Sequence, residues 1–145
     1  MSENTTATGS CLCQRVRYEI SGNLGIFQHC NCSRCRKFTG SVFAANLLVS
    51  PSDFRWLSGE EFVGTYALPE AKHFATAFCT HCGSSLPWKA QSGRAVIVPA
   101  GTLDDDPGIR PMQQIYCGSR ATWYTDPSSL PQYDELPPRT SRSQD

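Results

Sequence analysis

Residues 11–20 read CLCQRVRYEI, and this stretch combines a metal-binding spacing with the pattern of a β-strand. From Val16 to Ile20, apolar side chains alternate with charged ones, which is typical of a strand with one buried face. Side chains two positions apart lie on the same side of an extended chain, so Cys11 and Cys13 can bind one metal ion. The stretch therefore predicts a β-protein whose first strand is held by a metal.

Short apolar segments follow along the rest of the chain and predict a mainly β fold. Glycine, proline, serine and asparagine separate them at close spacing. No window has a long apolar period of 3.6 residues, so we expect one short helical turn at residues 33–38 and otherwise short strands in one layer or two packed sheets. The further strand candidates are residues 42–49, 54–57, 62–66, 73–78, 95–98 and 115–117.

The composition indicates one modest domain without an excess of either charge. The chain has 145 residues, and its 13 basic and 13 acidic side chains give a net charge of zero. A dedicated nucleic-acid binder usually carries a basic excess or stripe, so we expect no nucleic-acid partner. No apolar run is long enough to cross a membrane, and the N-terminus lacks the apolar region of a secretory signal. We therefore expect a cytoplasmic protein that makes no membrane contact.

We divide the chain into three parts by composition. Residues 1–9 and 137–145 are dominated by small, polar and proline residues, so we expect both to be disordered. Residues 10–136 hold the cysteines and the strand candidates, and we expect them to form one zinc-binding domain.

The chain has eight cysteines, and in a reducing compartment clustered cysteines are more often metal ligands or catalytic thiols than disulfides. Seven of them form three clusters with C-x-C, C-x-C-x-x-C and C-x-x-C spacing. These spacings suit the tetrahedral sulfur coordination of zinc. The seven are Cys11, Cys13, Cys30, Cys32, Cys35, Cys79 and Cys82.

We expect the three clusters to form two unequal zinc sites. The first and third clusters together supply four thiolates, which would saturate a structural zinc and join two distant parts of the chain. The middle cluster, Cys30, Cys32 and Cys35, supplies only three. Three protein ligands with one exchangeable position are typical of a catalytic zinc, where an incoming thiol or water is held as its anion.

Three other arrangements of the ligands are open at this level. Cys117 could complete the middle cluster and close it, although a lone cysteine in an apolar strand is more often a buried small hydrophobe. His29 or His81, which lie beside cysteines, could replace one ligand. A disulfide framework is the third arrangement, and the absence of a secretory signal disfavours it.

The order and content of these motifs resemble the glutathione-dependent formaldehyde-activating enzyme family. The similar segments are GSCLCQRVRYE at residues 9–19, HCNCSRCRKFTGS at residues 29–41, FCTHCG at residues 78–83, GSRATW at residues 118–123 and LPQY at residues 130–133. The resemblance implies a β-tent fold with two zinc ions per chain, bound as the spacing predicts. It also implies carbon–sulfur lyase activity that interconverts S-hydroxymethylglutathione with formaldehyde and glutathione.

The residues around the middle cluster suggest how a small-molecule thiol such as glutathione would bind. Arg36 or Lys37 could bind a substrate carboxylate, and Thr39 could contact substrate through its hydroxyl. The alternatives are a solvated surface charge at the two basic residues and a turn residue at Thr39.

The sequence departs from the family pattern at three positions without losing a cysteine. Gln14 stands where the family usually has glycine, Ala77 where a basic residue is common, and Gln114 where histidine is common. These differences bear on the substrate more than on the fold.

A second hypothesis is a binding module without catalysis. In it, a zinc-stabilised β-tent would grip a protein partner. The candidate contact residues are Trp56, Trp88 and Trp123, if they are exposed.

Overall fold

The computed structural model describes residues 5–139, which form eleven short strands, one short α-helix and five 3₁₀ turns. The prediction of a mainly β fold is confirmed. The elements are β1 (Thr5–Ser10), β2 (Arg17–Gly22), β3 (Phe27–Cys30), α1 (Ser33–Thr39), β4 (Ala44–Val49), β5 (Phe54–Ser58), β6 (Val63–Ala67), β7 (Ala75–Cys79), β8 (Ser85–Leu86), β9 (Trp88–Lys89), β10 (Val96–Pro99) and β11 (Gln113–Ile115).

The strands form three sheets, where the sequence led us to expect one layer or two. The first sheet has the order β1-β2-β5, the central sheet β11-β3-β4-β10-β9, and the third sheet β6-β7-β8. Neighbouring strands are antiparallel except β11, which runs parallel to β3 and pairs Ile115 with Cys30. This parallel pair brings a segment near the C-terminal end of the domain beside the middle cysteine cluster.

Two apolar clusters hold the three sheets together. Tyr18 and Ile20 of β2 are fully buried against Leu47 and Val98 of the central sheet. In the second cluster, Val16 packs with buried residues of β7 and β8 and with Trp88 of β9. This cluster also includes Cys11 and Cys79. Burying side chains of this size contributes about 1.5–3 kcal/mol each. The four-cysteine cluster is therefore built into the core that attaches the third sheet.

The N-terminal prediction is wrong for residues 5–9. They belong to β1, which pairs along its whole length with β2, from Thr5 opposite Gly22 to Ser10 opposite Arg17. Residues 1–4 and 140–145 of the two predicted disordered ends lie outside the described residues. Residues 137–139 are exposed and lie in neither a helix nor a strand.

The prediction of a strand over residues 115–117 is also wrong in part. β11 ends at Ile115, and Tyr116 adopts a left-handed backbone with φ of 55°. A left-handed residue turns the chain out of the extended conformation, so Cys117 begins a 3₁₀ turn and is exposed rather than buried.

Candidate metal centres

Four cysteine sulfurs from two distant loops meet between the first and third sheets. Cys11 and Cys13 lie in the turn between β1 and β2, and Cys79 and Cys82 lie at the turn between β7 and β8. All four sulfurs lie within 4.8 Å of one another, with 3.5 Å between the Cys11 and Cys13 Sγ atoms. Four sulfurs about 2.3 Å from a central ion would be about 3.8 Å apart at tetrahedral corners. The separations of Cys11 from Cys13, 3.5 Å, and of Cys13 from Cys79, 3.9 Å, are close to this value, so the group fits zinc.

Backbone hydrogen bonds fix the two loops that carry this cluster. The Val16 N–H donates to Cys11 Sγ at 3.3 Å, and the Cys82 N–H donates to Cys79 Sγ at 3.5 Å. The loops also touch directly, because the Leu12 N–H donates to Ser84 Oγ at 2.9 Å. N–H donors favour the thiolate form of a cysteine, which is the form that binds metal.

The pKa values of two thiols in this cluster, Cys82 and Cys13, are shifted in opposite directions. A hydrogen bond with the Ser84 hydroxyl lowers the pKa of Cys82 to about 5. A backbone hydrogen bond from Arg15 lowers the pKa of Cys13, but desolvation and hydrogen bonds to the neighbouring cysteines outweigh it and raise that pKa to about 11. Four thiols packed this closely cannot all ionise without a compensating cation. The donor set therefore suits a metal ion that holds all four as thiolates.

The middle cluster lies where β3 runs into α1. Cys30 is the last residue of β3, Cys32 precedes the helix as its N-cap, and Cys35 lies in the helix. The Cys35 N–H donates to Cys32 Sγ at 3.4 Å, and the Asn46 side-chain amide on β4 donates to Cys35 Sγ at 3.7 Å. The three sulfurs lie within 4.8 Å of one another. Three thiols on one strand-to-helix junction form a compact three-sulfur face.

Protons are shared unequally in this second cluster. A hydrogen bond with Cys35 lowers the pKa of Cys30 to about 6, despite its burial. The same hydrogen bond, together with burial, raises the pKa of Cys35 far above the usual value of a thiol. A bound cation would remove this inequality by stabilising all three thiolates, so this donor set also fits zinc.

A cavity of about 630 Å³ is lined in part by Cys30, Cys32 and Cys35. Phe74 and Trp88 form part of its apolar wall, and their ring centroids are 5.1 Å apart. A volume of this size is typical of small-molecule sites. The polar side chains that line the cavity are Gln28, Ser33, Arg34, Asn46, Lys72, His73, Tyr116 and Ser119.

Comparison with known proteins gives the chain a family. The model of the glutathione-dependent formaldehyde-activating enzyme family matches residues 6–119. The chain belongs to this family. A crystal structure of a Rhodobacter sphaeroides protein from a structural genomics programme is similar, with 25% sequence identity and a TM-score of 0.55 over 74% of this chain and 98% of that chain. No curated protein matches.

The structure shows the contacts of the three residues suggested for substrate binding, Arg36, Lys37 and Thr39. Arg36 donates to the Ser119 carbonyl at 3.4 Å, and the Thr39 hydroxyl donates to the Cys35 carbonyl at 2.9 Å, inside the helix. Lys37 lines a neighbouring cavity rather than the one above the three sulfurs. Their roles in substrate binding stay predictions.

The sequence did not predict that Arg34, Lys72 and His73 line the cavity formed at Cys30, Cys32 and Cys35. Arg34 lies between Cys32 and Cys35. The sequence predicts that Arg34 is on the short helix, but it does not predict which side of the helix its side chain faces. Lys72 and His73 come from the segment before β7, about forty residues further along the chain. No spacing signal in the sequence connects them to the cysteines.

The alternative ligands lie apart from the three sulfurs. Cys117 lies near Arg120, whose guanidinium donates to its Sγ at 3.6 Å, and it is not part of the three-sulfur group. His29 stacks on Phe43 with ring centroids 4.0 Å apart, and burial lowers its pKa. His81 is exposed in the turn of the third cysteine motif. In the part of the chain that the structure describes, the cluster of Cys30, Cys32 and Cys35 therefore offers a metal three sulfurs and no fourth cysteine or histidine.

The departures from the family pattern have structural consequences. Gln14 adopts φ of 66°, the left-handed conformation that glycine tolerates best, at the position where the family usually has glycine. Ala77 is buried in β7, and Gln114 accepts a hydrogen bond from Arg120 at 3.1 Å. Holding a non-glycine residue at such a φ costs about 1–3 kcal/mol, which the adjoining cysteine site must offset.

The three tryptophans differ in exposure. Trp88 is buried and Trp56 is packed against both apolar clusters, whereas Trp123 is 66% exposed. Trp123 is therefore the most exposed of the three side chains and the one most open to a protein partner, while Trp56 is half-buried. No helix within residues 5–139 has the length and apolar character needed to span a membrane.

Proposed function

We propose that this protein is a zinc-dependent carbon–sulfur lyase. Its substrate would be the adduct of glutathione, or another small thiol, with formaldehyde or a related small electrophile. The observation that carries the proposal is the contrast between the two cysteine clusters. One has four sulfurs set into the core, and the other has three sulfurs that border a cavity of about 630 Å³.

Zinc is the metal that suits both clusters. Thiolate ligands at tetrahedral spacing favour zinc, and an all-cysteine site with four sulfurs is closed to substrate. At the three-cysteine site, zinc would leave one position for the sulfur or oxygen of a substrate and would act there as a Lewis acid. Cys30, Cys32 and Cys35 would hold this ion, and Asn46 would support Cys35 through its amide.

The reaction itself needs no redox partner. In S-hydroxymethylglutathione the carbon–sulfur bond breaks and its electron pair goes to sulfur, while the hydroxyl group loses its proton as the carbonyl bond of formaldehyde forms. A proton returned to sulfur gives free glutathione, so atoms and charge balance. The reverse reaction adds the thiol to the aldehyde.

The cavity residues supply binding and exclusion of water. Arg34 and Lys72 are the cations best placed to pair with the carboxylates of a peptide thiol, since both line the cavity that the sulfurs border. Phe74 and Trp88 form an apolar wall that limits water near the reacting carbon. These side chains would orient the thiol so that its sulfur lies next to the three-cysteine site.

The proposal is tested by replacing one ligand of the three-cysteine site. We expect Cys32→Ser to abolish turnover of S-hydroxymethylglutathione and to lower the zinc content from about two ions per chain to about one. The readouts are exchange spectroscopy by NMR for turnover and elemental analysis for zinc.

Cys117→Ser is the matched control, because Cys117 is the cysteine outside both clusters. It should keep both zinc and turnover. Full turnover by Cys32→Ser, or loss of turnover by Cys117→Ser alone, would contradict the proposal.

A further inference from the structure

The cavity that Cys30, Cys32 and Cys35 line is called the metal cavity below. A second cavity, of about 720 Å³, lies beside it, between α1 and the third sheet. Most of its lining surface is apolar, although the charged residues Arg34, Lys37 and Glu70 also border it. The aromatic and aliphatic side chains that line it are Phe38, Tyr66, Leu68, Phe74 and Phe78. A cleft of this size with such a lining is typical of a site for the apolar body of a small molecule.

The two cavities share a boundary. Ser33, Arg34 and Phe74 line both of them. Ser33 and Arg34 lie between Cys32 and Cys35, so the two cavities are neighbours at the segment that carries two of the three cysteines. The apolar group of a molecule bound at the three-cysteine site would reach the second cavity by passing these shared residues.

The aromatic wall of the second cavity depends on a glycine. Gly64 of β6 lies opposite Phe78 of β7, and a Cβ at position 64 would come within 2.7 Å of the Phe78 ring. No side chain fits there without moving the ring, so the glycine makes room for it. Tyr66, on the same strand, is 53% exposed and lines the cavity beside the ring.

Formaldehyde has no apolar body and makes no use of such a cavity. We propose that the second cavity holds the apolar body of a larger carbonyl compound, an aromatic or branched aldehyde, whose thiol adduct reacts at the three-cysteine site. This inference rests on the proposed lyase function and extends it to a substrate class. The metal cavity, with its basic side chains, would hold the thiol half of the adduct.

The chemistry of the larger adduct is the same and balances in the same way. The adduct carries the thiol sulfur, a hydroxyl and the apolar group on one carbon. The carbon–sulfur bond breaks with its electron pair going to sulfur, the hydroxyl proton is lost, and the aldehyde forms with its apolar group unchanged. A proton returned to sulfur gives the free thiol.

A kinetic comparison tests the preference. The glutathione adducts of formaldehyde and phenylacetaldehyde are compared by kcat/KM, using NMR exchange spectroscopy. We expect Phe78→Ala and Tyr66→Ala each to lower the ratio of phenylacetaldehyde to formaldehyde turnover by about tenfold or more, since lost apolar contacts discriminate by factors of this order. Tyr133→Ala is the matched control, because Tyr133 is 52% exposed and lies outside the cavity lining. It should leave the ratio unchanged.

A binding experiment separates this inference from the lyase function. The probe is 4-fluorobenzyl alcohol, which has no reactive carbonyl, followed by fluorine NMR on the Cys32→Ser protein. Saturable binding is expected, and it should be lost when Phe78→Ala or Tyr66→Ala is added but kept with Tyr133→Ala. Circular dichroism confirms that each variant is folded.

A failure of the proposed lyase function and a failure of the inference about the larger aldehyde give different results. If neither adduct is turned over while the probe binds normally, the lyase function is wrong and the apolar site stands. If the formaldehyde adduct is turned over but the ratio does not respond to the cavity variants, or if the probe does not bind, the inference about the larger aldehyde is overturned.

Discussion

Asn46 supports the three-cysteine site although it lies eleven residues after the last of those cysteines. Its side chain is 8% exposed, and its amide donates to Cys35 Sγ at 3.7 Å. A hydrogen bond to a thiolate in a poorly solvated place stabilises the charged form that a metal requires. Cys35 is the cysteine of this cluster whose pKa is raised most by its surroundings, so it benefits most from a donor.

We expect Asn46→Ala to weaken metal binding at the three-cysteine site by about 10–100-fold, the usual cost of losing a supporting hydrogen bond to a ligand. The four-cysteine site should keep its affinity, because Asn46 does not touch it. Competition with a chromophoric chelator resolves the two affinities. Asn23→Ala, at an exposed asparagine, is the control. Equal affinities for wild type and Asn46→Ala at the three-cysteine site would contradict this role.

At the residue scale, the sequence predicted which cysteines lie together but not the side chains that support them. Cysteine spacing is a local pattern with a geometric meaning, so the grouping of seven sulfurs followed from it. Asn46 carries no such signal, since an asparagine in an apolar run reads the same whether it faces a sulfur or solvent. The strained backbone of Gln14 was hidden for a similar reason, because φ at one turn position depends on the hydrogen bonds made around it.

Besides its pairing with β2, β1 is attached by polar contacts to Asp104 and Asp105. The Thr8 N–H and hydroxyl donate to one oxygen of Asp105 at 2.8 and 2.9 Å, and the Asp104 N–H donates to the Thr8 carbonyl at 2.8 Å. The Ser10 hydroxyl adds a hydrogen bond to Asp104 at 2.7 Å. These bonds join the outer edge of the first sheet to the loop that follows β10.

This attachment should weaken in acid. Hydrogen bonds from the Thr8 backbone and hydroxyl hold the pKa of Asp105 below its usual value of 3.8. The charged carboxylate therefore stabilises the folded state above that value, and the contribution is lost as pH falls through the lower folded pKa. We expect the Thr8 amide signal in nitrogen–proton NMR spectra to titrate with a midpoint below 3.8.

Asp105→Ala should reproduce the acid position of the Thr8 signal at neutral pH. Asp126→Ala is the control, because Asp126 also has a lowered pKa but accepts its hydrogen bonds from Ser128, away from β1. A Thr8 signal that is unaffected by both acid and Asp105→Ala would show that the carboxylate does not hold the strand.

Elements were predictable from the sequence where apolar side chains alternate with polar ones, as in β2, or form an apolar run, as in β4, and were missed where neither pattern is present. β2 and β4 have apolar residues at regular positions, and their predicted ranges overlap the observed ones. β1 and β3 are rich in small or polar residues, and they are strands because a neighbour satisfies their backbone groups. Pairing of this kind is set by tertiary structure, which overrides weak local preference.

The three-sheet arrangement is a property of the whole molecule. Its strands are two to six residues long, and several pair with partners far away in sequence, such as β11 with β3. Short strands carry little information about register or partner, so the sequence did not predict how many sheets they form. The four-cysteine cluster reduces this ambiguity, because it joins two loops at a fixed distance.

The two cysteine clusters should therefore contribute very differently to stability. The four-sulfur cluster joins Cys13 to Cys79 across 66 positions, and its members Cys11 and Cys79 are buried in the apolar core. Zinc bound by such a site contributes folding free energy on the order of 10 kcal/mol. The three-sulfur cluster joins residues within one strand-to-helix junction, so it closes only a short loop. Its metal adds little constraint to the unfolded chain.

We expect Cys82→Ser to unfold the protein or lower its Tm steeply, and Cys32→Ser to leave Tm close to that of wild type. Thermal unfolding of the purified proteins, followed by circular dichroism, measures both, with Cys117→Ser as the control for loss of a cysteine. A chelator added to the wild type should first remove the ion of the three-cysteine site without unfolding, and unfolding should follow only when the second ion leaves. If Cys32→Ser and Cys82→Ser lowered Tm equally, both sites would be structural and the division between a closed and an open centre would be wrong.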